Sequence, residues 1–210
     1  MPEVNAPSAL EEIERAILSG QFKPRERLVE TDLMTRFGFG RAKIREALKE
    51  LELKGLVRNN FYRGAVVADL TVEEVEAIYF VRIILEKAAA RLILKVIKQA
   101  DIRNLKKILN NVESHMQRKS EQMFEKDSEF HRAIFRICGN ECLYEMIDSL
   151  NKKAHIVRYN AWFSPQRIEQ SIQEHREIIS AIEKDDRLEL DRLIGKHLMS
   201  SKNTYLSKWK

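Results

Sequence analysis

Apolar residues at the start of the chain recur at the 3.6-residue spacing of amphipathic helices, and glycines interrupt the runs. The pattern predicts one helix over residues 8–18 and another over residues 41–54. Between them it predicts a short helix that Thr31 or Asp32 caps and that runs to Phe37. On the helix over residues 41–54 the apolar positions form one stripe, and the basic residues fall mostly outside it.

The spacing changes to that of β-strands beyond Gly55. Segments 56–58 and 65–67 are short and apolar, with β-branched valines, and they flank a polar turn. These features predict two short strands in a hairpin. Three helices followed by a hairpin is the layout of a winged helix-turn-helix.

The rest of the chain reads as helical. Thr71-x-x-Glu74 is a capping box that predicts a long helix through about Ile97. Short connections, which suit antiparallel neighbours in a bundle, separate further predicted helices at 101–118, 121–138, 141–160, 165–183 and 186–207. We therefore predict a mostly α protein, with a winged helix-turn-helix and its small β-hairpin wing over residues 1–70 and an antiparallel all-helical bundle over residues 71–210.

The composition is that of a folded protein rich in helices. Of the 210 residues, 44% are hydrophobic and 33% are charged, and there are 7 glycines and 4 prolines. Cys138 and Cys142 are too few for a secreted disulfide scaffold and lack the spacing of a CxxC pair. The sequence has no apolar stretch of about 18 residues and no recognisable signal peptide. We expect a cytoplasmic protein that does not span a membrane.

Positive charge is concentrated in one segment. Residues 21–66 contain eleven Lys or Arg and six acidic residues, so this segment alone equals the net charge of +5 of the whole chain. The basic residues of its third helix are Arg41, Lys43, Arg45 and Lys49. Cations opposite a packing stripe suit the major groove of DNA, because they attract phosphates and read guanine edges. The alternative is a solvated face with ion pairs to Glu46 and Glu50.

A second group of candidate residues lies in the predicted bundle. Asp127 and His131 are four residues apart on one helix and share a face, which suits a metal ion. His175 and His197 lie roughly 15 Å and 17 Å from the turn 184–186 that joins their helices, at about 1.5 Å per residue. Antiparallel packing would bring the two histidines to similar heights. The alternative is that each histidine is an ordinary surface or core residue.

Ordered motifs run through the basic segment. They are Ile17-x-x-Gly20-x-x-x-Pro24-x-x-Arg27-Leu28-x-Glu30-x-x-Leu33, Phe37-Gly38 and Arg41-x-x-Ile44-Arg45-Glu46-Ala47-Leu48-x-x-Leu51-x-x-x-Gly55-Leu56-Val57. Together they resemble the N-terminal domain of the GntR family of bacterial transcription regulators. The resemblance implies DNA contacts by Thr31, Arg41, Arg45 and Gly64.

The chain departs from this family pattern in its basic helix. The family usually has Ser or Thr at the position of Gly40, so a hydroxyl that could meet a phosphate is missing here. Lys43 stands where the family often has a small residue or proline, and its cation can replace that contact. The full set of expected DNA-binding residues is Thr31, Arg41, Lys43, Arg45, Lys49, Arg63 and Gly64.

Further motifs occur in the predicted bundle. They are Val81-Arg82-x-x-Leu85-Glu86-x-x-Ala89-Ala90, Asp127-x-x-Phe130-His131-x-x-Ile134, Cys138-Gly139-Asn140, Glu174-His175-x-x-Ile178-x-x-Ala181-Ile182 and His197-Leu198. They resemble the FCD effector domain of the FadR-type subfamily. The resemblance implies metal ligands at Asp127, His131, His175 and His197, and an effector-binding arginine at Arg82.

This ligand set limits the expected chemistry. Imidazole and carboxylate suit Zn²⁺, Ni²⁺, Mn²⁺ or Fe²⁺ and do not choose among them. Four protein ligands leave one or two coordination positions for a small carboxylic acid. Arg82 can donate a charge-assisted pair of hydrogen bonds to such an acid, although it could instead be a helix-surface partner of Glu86.

The sequence therefore predicts a ligand-responsive transcription regulator and no enzyme. Its expected partners are double-stranded operator DNA, a small organic acid effector and a second copy of the chain, because a two-fold dimer reads a pseudo-palindrome. Two other classes stay open at this point. A metal-dependent hydrolase would activate water at the metal, and a helical interaction protein would hold a closed structural metal.

Overall fold

Two units with separate hydrophobic cores make up the chain. The computed structural model describes residues 7–60, 64–118, 120, 122–155, 157–158 and 165–207. The division falls between Met1–Asp69 and Leu70–Lys210, next to the position where the sequence pattern changes from mixed to all-helical.

The N-terminal unit contains three helices and a hairpin in the described residues. They are α1 (Ala9–Leu18), α2 (Glu30–Phe37), α3 (Arg41–Leu53), β1 (Val57–Asn60) and β2 (Gly64–Val67). The strands are antiparallel, with Val57 opposite Val67. The core of this unit includes Ile13, Ile44 and Leu51, none of which is exposed to solvent. This is the predicted winged helix-turn-helix.

Helix α2 begins two residues earlier than a cap at Thr31 would place it. Its N-cap is Val29, which makes no side-chain hydrogen bond to the helix, so the prediction that Thr31 or Asp32 caps α2 was wrong. The preceding chain is extended because Arg27 forms a bridge with Val66 of the hairpin. That pairing holds the backbone in a β conformation up to Val29, and the helix starts immediately after it.

All regular secondary structure in the described residues of the C-terminal unit is helical. Its elements are α4 (Val72–Val96), α5 (Gln99–Gln117), α6 (Met123–Arg136), α7 (Glu141–Lys153), α8 (Pro165–Glu183) and α9 (Arg187–Leu206). The capping box of Thr71 and Glu74 opens α4 as predicted. Helix α9 packs against α4 and α8, while α5 packs against α6 and α8. No helix in the described part of the chain is long and apolar enough to cross a membrane.

Helix α7 is shorter than the sequence pattern predicts. The prediction was one helix over residues 141–160, but α7 ends at Lys153 and Ala154 leaves helical geometry. Residues 155, 157 and 158 are helical again beyond this turn, and residues 156, 159 and 160 lie outside the described residues. The ring Nδ1 of His155 lies 3.0 Å from the carbonyl oxygen of Lys152. The contact lies at the turn that ends α7, where the backbone N–H of Ala154 also reaches the carbonyl oxygens of Leu150 and Lys152.

The buried ring of His155 makes stability depend on pH. Burial, together with the charge of Arg158, lowers the pKa of His155 to about 4, although the contact with Lys152 opposes this shift. The unfolded chain, with a pKa near 6.5, therefore takes up a proton at a pH where the folded protein does not. Stability that is present above pH ~6.5 is lost as the pH falls toward 4.

We expect His155→Gln to remove the pH-dependent part of the stability that comes from His155. Relative to the variant, the metal-free wild type should lose about 2 kcal/mol of unfolding free energy between pH 7.5 and pH 5.0, measured by urea denaturation. The comparison isolates His155, because other buried histidines are present in both proteins. A stability difference between the two proteins that is independent of pH would contradict the assignment.

Candidate nucleic-acid interface and metal centre

Helix α3 divides into a packed face and a charged face. Ile44, Ala47, Leu48 and Leu51 are buried in the core of the N-terminal unit. The expected DNA-binding side chains on this helix are all exposed, namely Arg41, Lys43, Arg45 and Lys49. The helix therefore presents its cations to solvent on the side away from its packing stripe.

A carboxylate on α2 holds two of these arginines. The Nε atom of Arg45 lies 2.7 Å from Oε1 of Glu30, and Nε of Arg41 lies 3.7 Å from Oε2 of the same residue. In the alternative interpretation the acidic partners were Glu46 and Glu50, but these pairs are formed with Glu30 instead. Because both arginines are about 60% exposed, each pair is worth less than about 1 kcal/mol, so a phosphate or base can displace it.

An open groove separates α3 from the hairpin. It has a volume of about 530 Å³, and its lining includes Arg27, Arg45, Lys49 and Gly64. Gly64 has a φ of +70°, a left-handed conformation that favours glycine at the start of β2. Thr31 is exposed at the start of α2, with its hydroxyl toward Asp32.

The structure therefore groups some of the expected DNA-binding residues and separates others. Arg45, Lys49 and Gly64 share the groove, while Thr31, Arg41 and Lys43 lie outside its described lining. Arg63 lies outside the described residues. The sequence analysis did not select Arg27, which lines the groove, although this residue stands within the quoted motif.

In the C-terminal unit, three histidines from three helices meet. His131 of α6, His175 of α8 and His197 of α9 each offer a ligand atom, and these atoms lie within 4.8 Å of one another. The ring centroids of His175 and His197 are 4.8 Å apart, at the similar heights that the antiparallel register predicts. All three side chains are buried, and this arrangement could hold a metal ion.

Asp127 completes this cluster from the same helix as His131. Its Oδ1 atom lies 3.7 Å from Nε2 of His131 and 3.7 Å from Nε2 of His175. Its other oxygen, Oδ2, accepts a hydrogen bond of 3.2 Å from Nη1 of Arg158. The structure thus brings together the four side chains that the sequence analysis selected, and adds an arginine that it did not assign.

The polar atoms of the cluster fit a cation. Oδ1 of Asp127 and both ring nitrogens of His175 are buried without a hydrogen-bond partner among the described residues. Burial lowers the pKa of His131 and of His175 well below the ordinary value, so their rings are neutral near pH 7. Neutral imidazole with a free lone pair is the form that binds metal ions.

Arg82 lies in the interior rather than on the helix surface. It is 2% exposed and donates a hydrogen bond of 2.9 Å to Glu86, so the alternative was right about the partner and wrong about the location. Its guanidinium carbon lies 4.8 Å from the ring centroid of Tyr79. The Nη1 atom is buried without a hydrogen-bond partner in the described part of the chain.

A small cavity adjoins the histidines. Its lining includes Glu86, Phe130, His131, Ile182 and His197, and its volume is about 10 Å³. This is close to the room that a single water molecule requires. Any larger molecule at this position would require neighbouring side chains to move.

The chain combines a winged helix-turn-helix that exposes basic side chains with a helical domain that holds a buried cluster of ligand-type side chains. Residues 6–67 match the model of bacterial regulatory proteins of the gntR family, and residues 77–200 match the FCD domain. The chain belongs to the GntR family and has the FCD domain of its FadR-type members.

Relatives and a solved structure agree with this family. The chain is 29% identical over 178 residues to the HTH-type transcriptional regulator YdhC of Bacillus subtilis strain 168, covering 84% of this chain and 80% of YdhC. It is 27% identical over 187 residues to the transcriptional repressor RspR of Escherichia coli K12, covering 89% and 82% of the two chains. The structure of E. coli McbR/YncC has the same fold, with a TM-score of 0.84, 18% identity and coverage of 96% and 97%.

We expect the two arginines held by Glu30 to carry sequence recognition. With an operator selected by the protein from random duplex DNA, Arg41→Ala and Arg45→Ala should each weaken binding by about 1–3 kcal/mol, because a base contact is lost. Lys43→Ala should instead weaken binding to every sequence about equally. It should also reduce the slope of log affinity against log salt concentration by about one, because one phosphate contact is lost. Fluorescence anisotropy at several salt concentrations measures both effects.

Arg192→Ala serves as the control for loss of one positive charge. Arg192 is exposed on α9 of the other unit, where it pairs with Glu189. Operator affinity that is unchanged in both Arg41→Ala and Arg45→Ala would remove α3 from the role of recognition helix.

Proposed function

We propose that this regulator is a cytoplasmic homodimer that binds operator DNA and responds to a small organic acid at a metal site in its helical bundle. The observation that carries this proposal is the buried cluster of Asp127, His131, His175 and His197. Its unpartnered polar atoms lie within the domain that matches FCD. Measurements of metal content and of operator affinity test the proposal together.

The metal ligands in this proposal are the four side chains of the cluster. Each histidine is buried and the carboxylate of Asp127 is 3% exposed, so isolated polar atoms here would carry a desolvation cost. A divalent cation bound among them would offset this cost, and the donor set suits Zn²⁺, Ni²⁺, Mn²⁺ or Fe²⁺. When bound, the cation would supply coordination positions for a carboxylate oxygen.

Buried arginines support an acidic effector. Burial raises the pKa of Asp127, and the positive charges of Arg158 and Arg82 oppose this shift, so both charges act at the cluster. Nη1 of Arg82 and Nε of Arg158 are buried without hydrogen-bond partners among the described residues. Arginine N–H groups pair strongly with carboxylates, so an organic acid would satisfy these donors if side chains around the small cavity moved to admit it.

An exposed stripe on α4 supports the homodimer. Phe80, Val81 and Ile84 are 67%, 38% and 52% exposed in the single chain. Glu73 lies before this apolar patch and Arg91 after it, both exposed on the same helix. Pairing two antiparallel copies of α4 would set Phe80 near the partner's Ile84 and Glu73 near the partner's Arg91. The apolar residues of the patch would therefore meet their own copies across a two-fold axis, while Arg91 also holds a 2.7 Å ion pair with Asp191 of its own chain.

Regulation requires the effector to distinguish two arrangements of the dimer. A ligand that binds both arrangements equally shifts nothing, whatever its affinity. The metal site draws on α6, α8 and α9, so a ligand bound there acts on three helices of the bundle together. A change in their packing is the means by which the acid would alter DNA affinity.

We expect the double variant His175→Ala/His197→Ala to lose tightly bound metal. Elemental analysis should find about one equivalent in the wild type after loading and none in the variant, since two ligands are gone. Added metal should raise the melting temperature of the wild type alone, because a ligand that binds only the folded state stabilises it. Anisotropy titration of the operator with a panel of small carboxylic acids should detect a response in the wild type only.

His115→Ala is the matched control for this experiment. The ring of His115 forms a hydrogen bond with the hydroxyl of Ser120, and His115 is not part of the cluster. A full equivalent of tightly bound metal in the double variant would rule out the site. A normal response of its DNA binding to an acid that acts on the wild type would rule out a role in the switch.

A positive charge introduced into the exposed apolar patch of α4 tests the proposed dimer interface. We expect Ile84→Lys to dissociate the dimer at micromolar concentration, because two lysines would be buried near the two-fold axis without acidic partners. Light scattering measures the mass. Leu188→Lys, at a position of α9 that is 83% exposed, should leave the mass unchanged. A monomeric wild type, or a dimeric Ile84→Lys, would contradict this interface.

A further inference from the structure

A buried carboxylate that is not among the four expected ligands lies against the histidine cluster. Glu174 on α8 is 3% exposed and immediately precedes His175. One of its oxygens, Oε2, lies 2.8 Å from Nδ1 of His197 on α9. The contact joins residues 23 positions apart, so the packing of the two helices creates it.

Other groups hold this carboxylate in place. Nη2 of Arg167 lies 2.9 Å from Oε2 of Glu174, and the hydroxyl of Ser200 donates a hydrogen bond of 3.1 Å to Oε1. Arg167 also donates to the backbone carbonyl of His197 at 3.4 Å and to the hydroxyl of Ser201 at 3.0 Å. Both oxygens of Glu174 are thus engaged with the protein, which leaves it poorly placed as a metal ligand.

The hydrogen bond between Glu174 and His197 determines which ring nitrogen of His197 has an available lone pair. A carboxylate only accepts hydrogen bonds, so the Nδ1 atom that faces it carries the proton. In the neutral ring the lone pair then lies on Nε2. A histidine whose outer N–H donates to a carboxylate is fixed in orientation and is a more basic metal ligand. In contrast, neither ring nitrogen of His175 has a hydrogen-bond partner in the described part of the chain.

We propose that Glu174 is a positioning residue of the metal site, which orients His197 and fixes the tautomer that binds the cation through Nε2. This inference rests on the proposed metal site. Arg167 and Ser200 are the groups that keep Glu174 in place. Since this network ties α8 to α9, metal binding and the packing of these two helices depend on the same carboxylate.

The test compares metal affinity in the metal-stripped full chain. With Zn²⁺ as the probe and competition against a chelator, we expect Glu174→Gln to bind about 10- to 100-fold more weakly than the wild type. Glu174→Ala should bind more weakly still, because glutamine retains a neutral oxygen that can accept the hydrogen bond. Glu169→Gln, an exposed position on α8, should match the wild type.

X-ray absorption separates a positioning role from ligation. At saturating Zn²⁺, Glu174→Gln should retain the wild-type number of imidazole and oxygen ligands. Loss of an oxygen ligand in this variant would make Glu174 a ligand and overturn the proposal. Zn²⁺ affinity equal to that of the wild type would also overturn it, while leaving the metal site itself in place. Failure of the wild type to bind any of the four candidate metals would overturn the proposed function.

A measurement on the wild type does not depend on whether a variant folds. In the Zn²⁺-loaded protein labelled with ¹⁵N, we expect the histidine spectrum to show His197 with a protonated Nδ1 and a metal-bound Nε2. Metal bound through Nδ1 would overturn the proposal, because that nitrogen could not then donate to Glu174.

Discussion

The desolvation of one polar cluster constrains the whole C-terminal unit. Asp127 and three histidines occupy the interior of the bundle, where an unsatisfied polar atom costs about 1–3 kcal/mol. Helix α6 contributes two of these side chains, and α8 and α9 contribute one each. The ligand-type atoms of the three histidines lie within 4.8 Å of one another, so the packing of these helices brings the polar atoms of the cluster together.

Buried ion pairs surround the cluster and balance its charge. Among the described residues, Arg82 pairs with Glu86, Arg158 with Asp127, and Arg167 with Glu174. Breaking one such pair leaves a buried charge without compensation, which is costly, so each pair restricts the helices that carry it. Two of these pairs lie within one helix, Arg82–Glu86 in α4 and Arg167–Glu174 in α8, whereas Arg158 reaches Asp127 of α6 from beyond the end of α7.

The N-terminal unit uses charge in the opposite way. The pairs of Glu30 with Arg41 and Arg45 are exposed, so water and salt screen them and little free energy is needed to break them. They orient the guanidinium groups while leaving them available to phosphates and bases. The buried pairs of one unit are costly to break, whereas the weak exposed pairs of the other can be exchanged for contacts with DNA.

Local patterns in the sequence determined the class of fold, the capping box at Thr71, and the shared helix face of Asp127 and His131, because these depend on residues within one or two turns. The meeting of His175 with His197 followed from their similar distances to the turn that joins their helices. Tertiary packing alone decided that Glu174 forms a hydrogen bond with His197 and that Arg158 forms one with Asp127, 31 residues away. It also decided that pairing with the hairpin sets the start of α2. Helical periodicity specifies which face of a helix is buried, but it does not specify which polar side chains on neighbouring helices come within hydrogen-bonding distance.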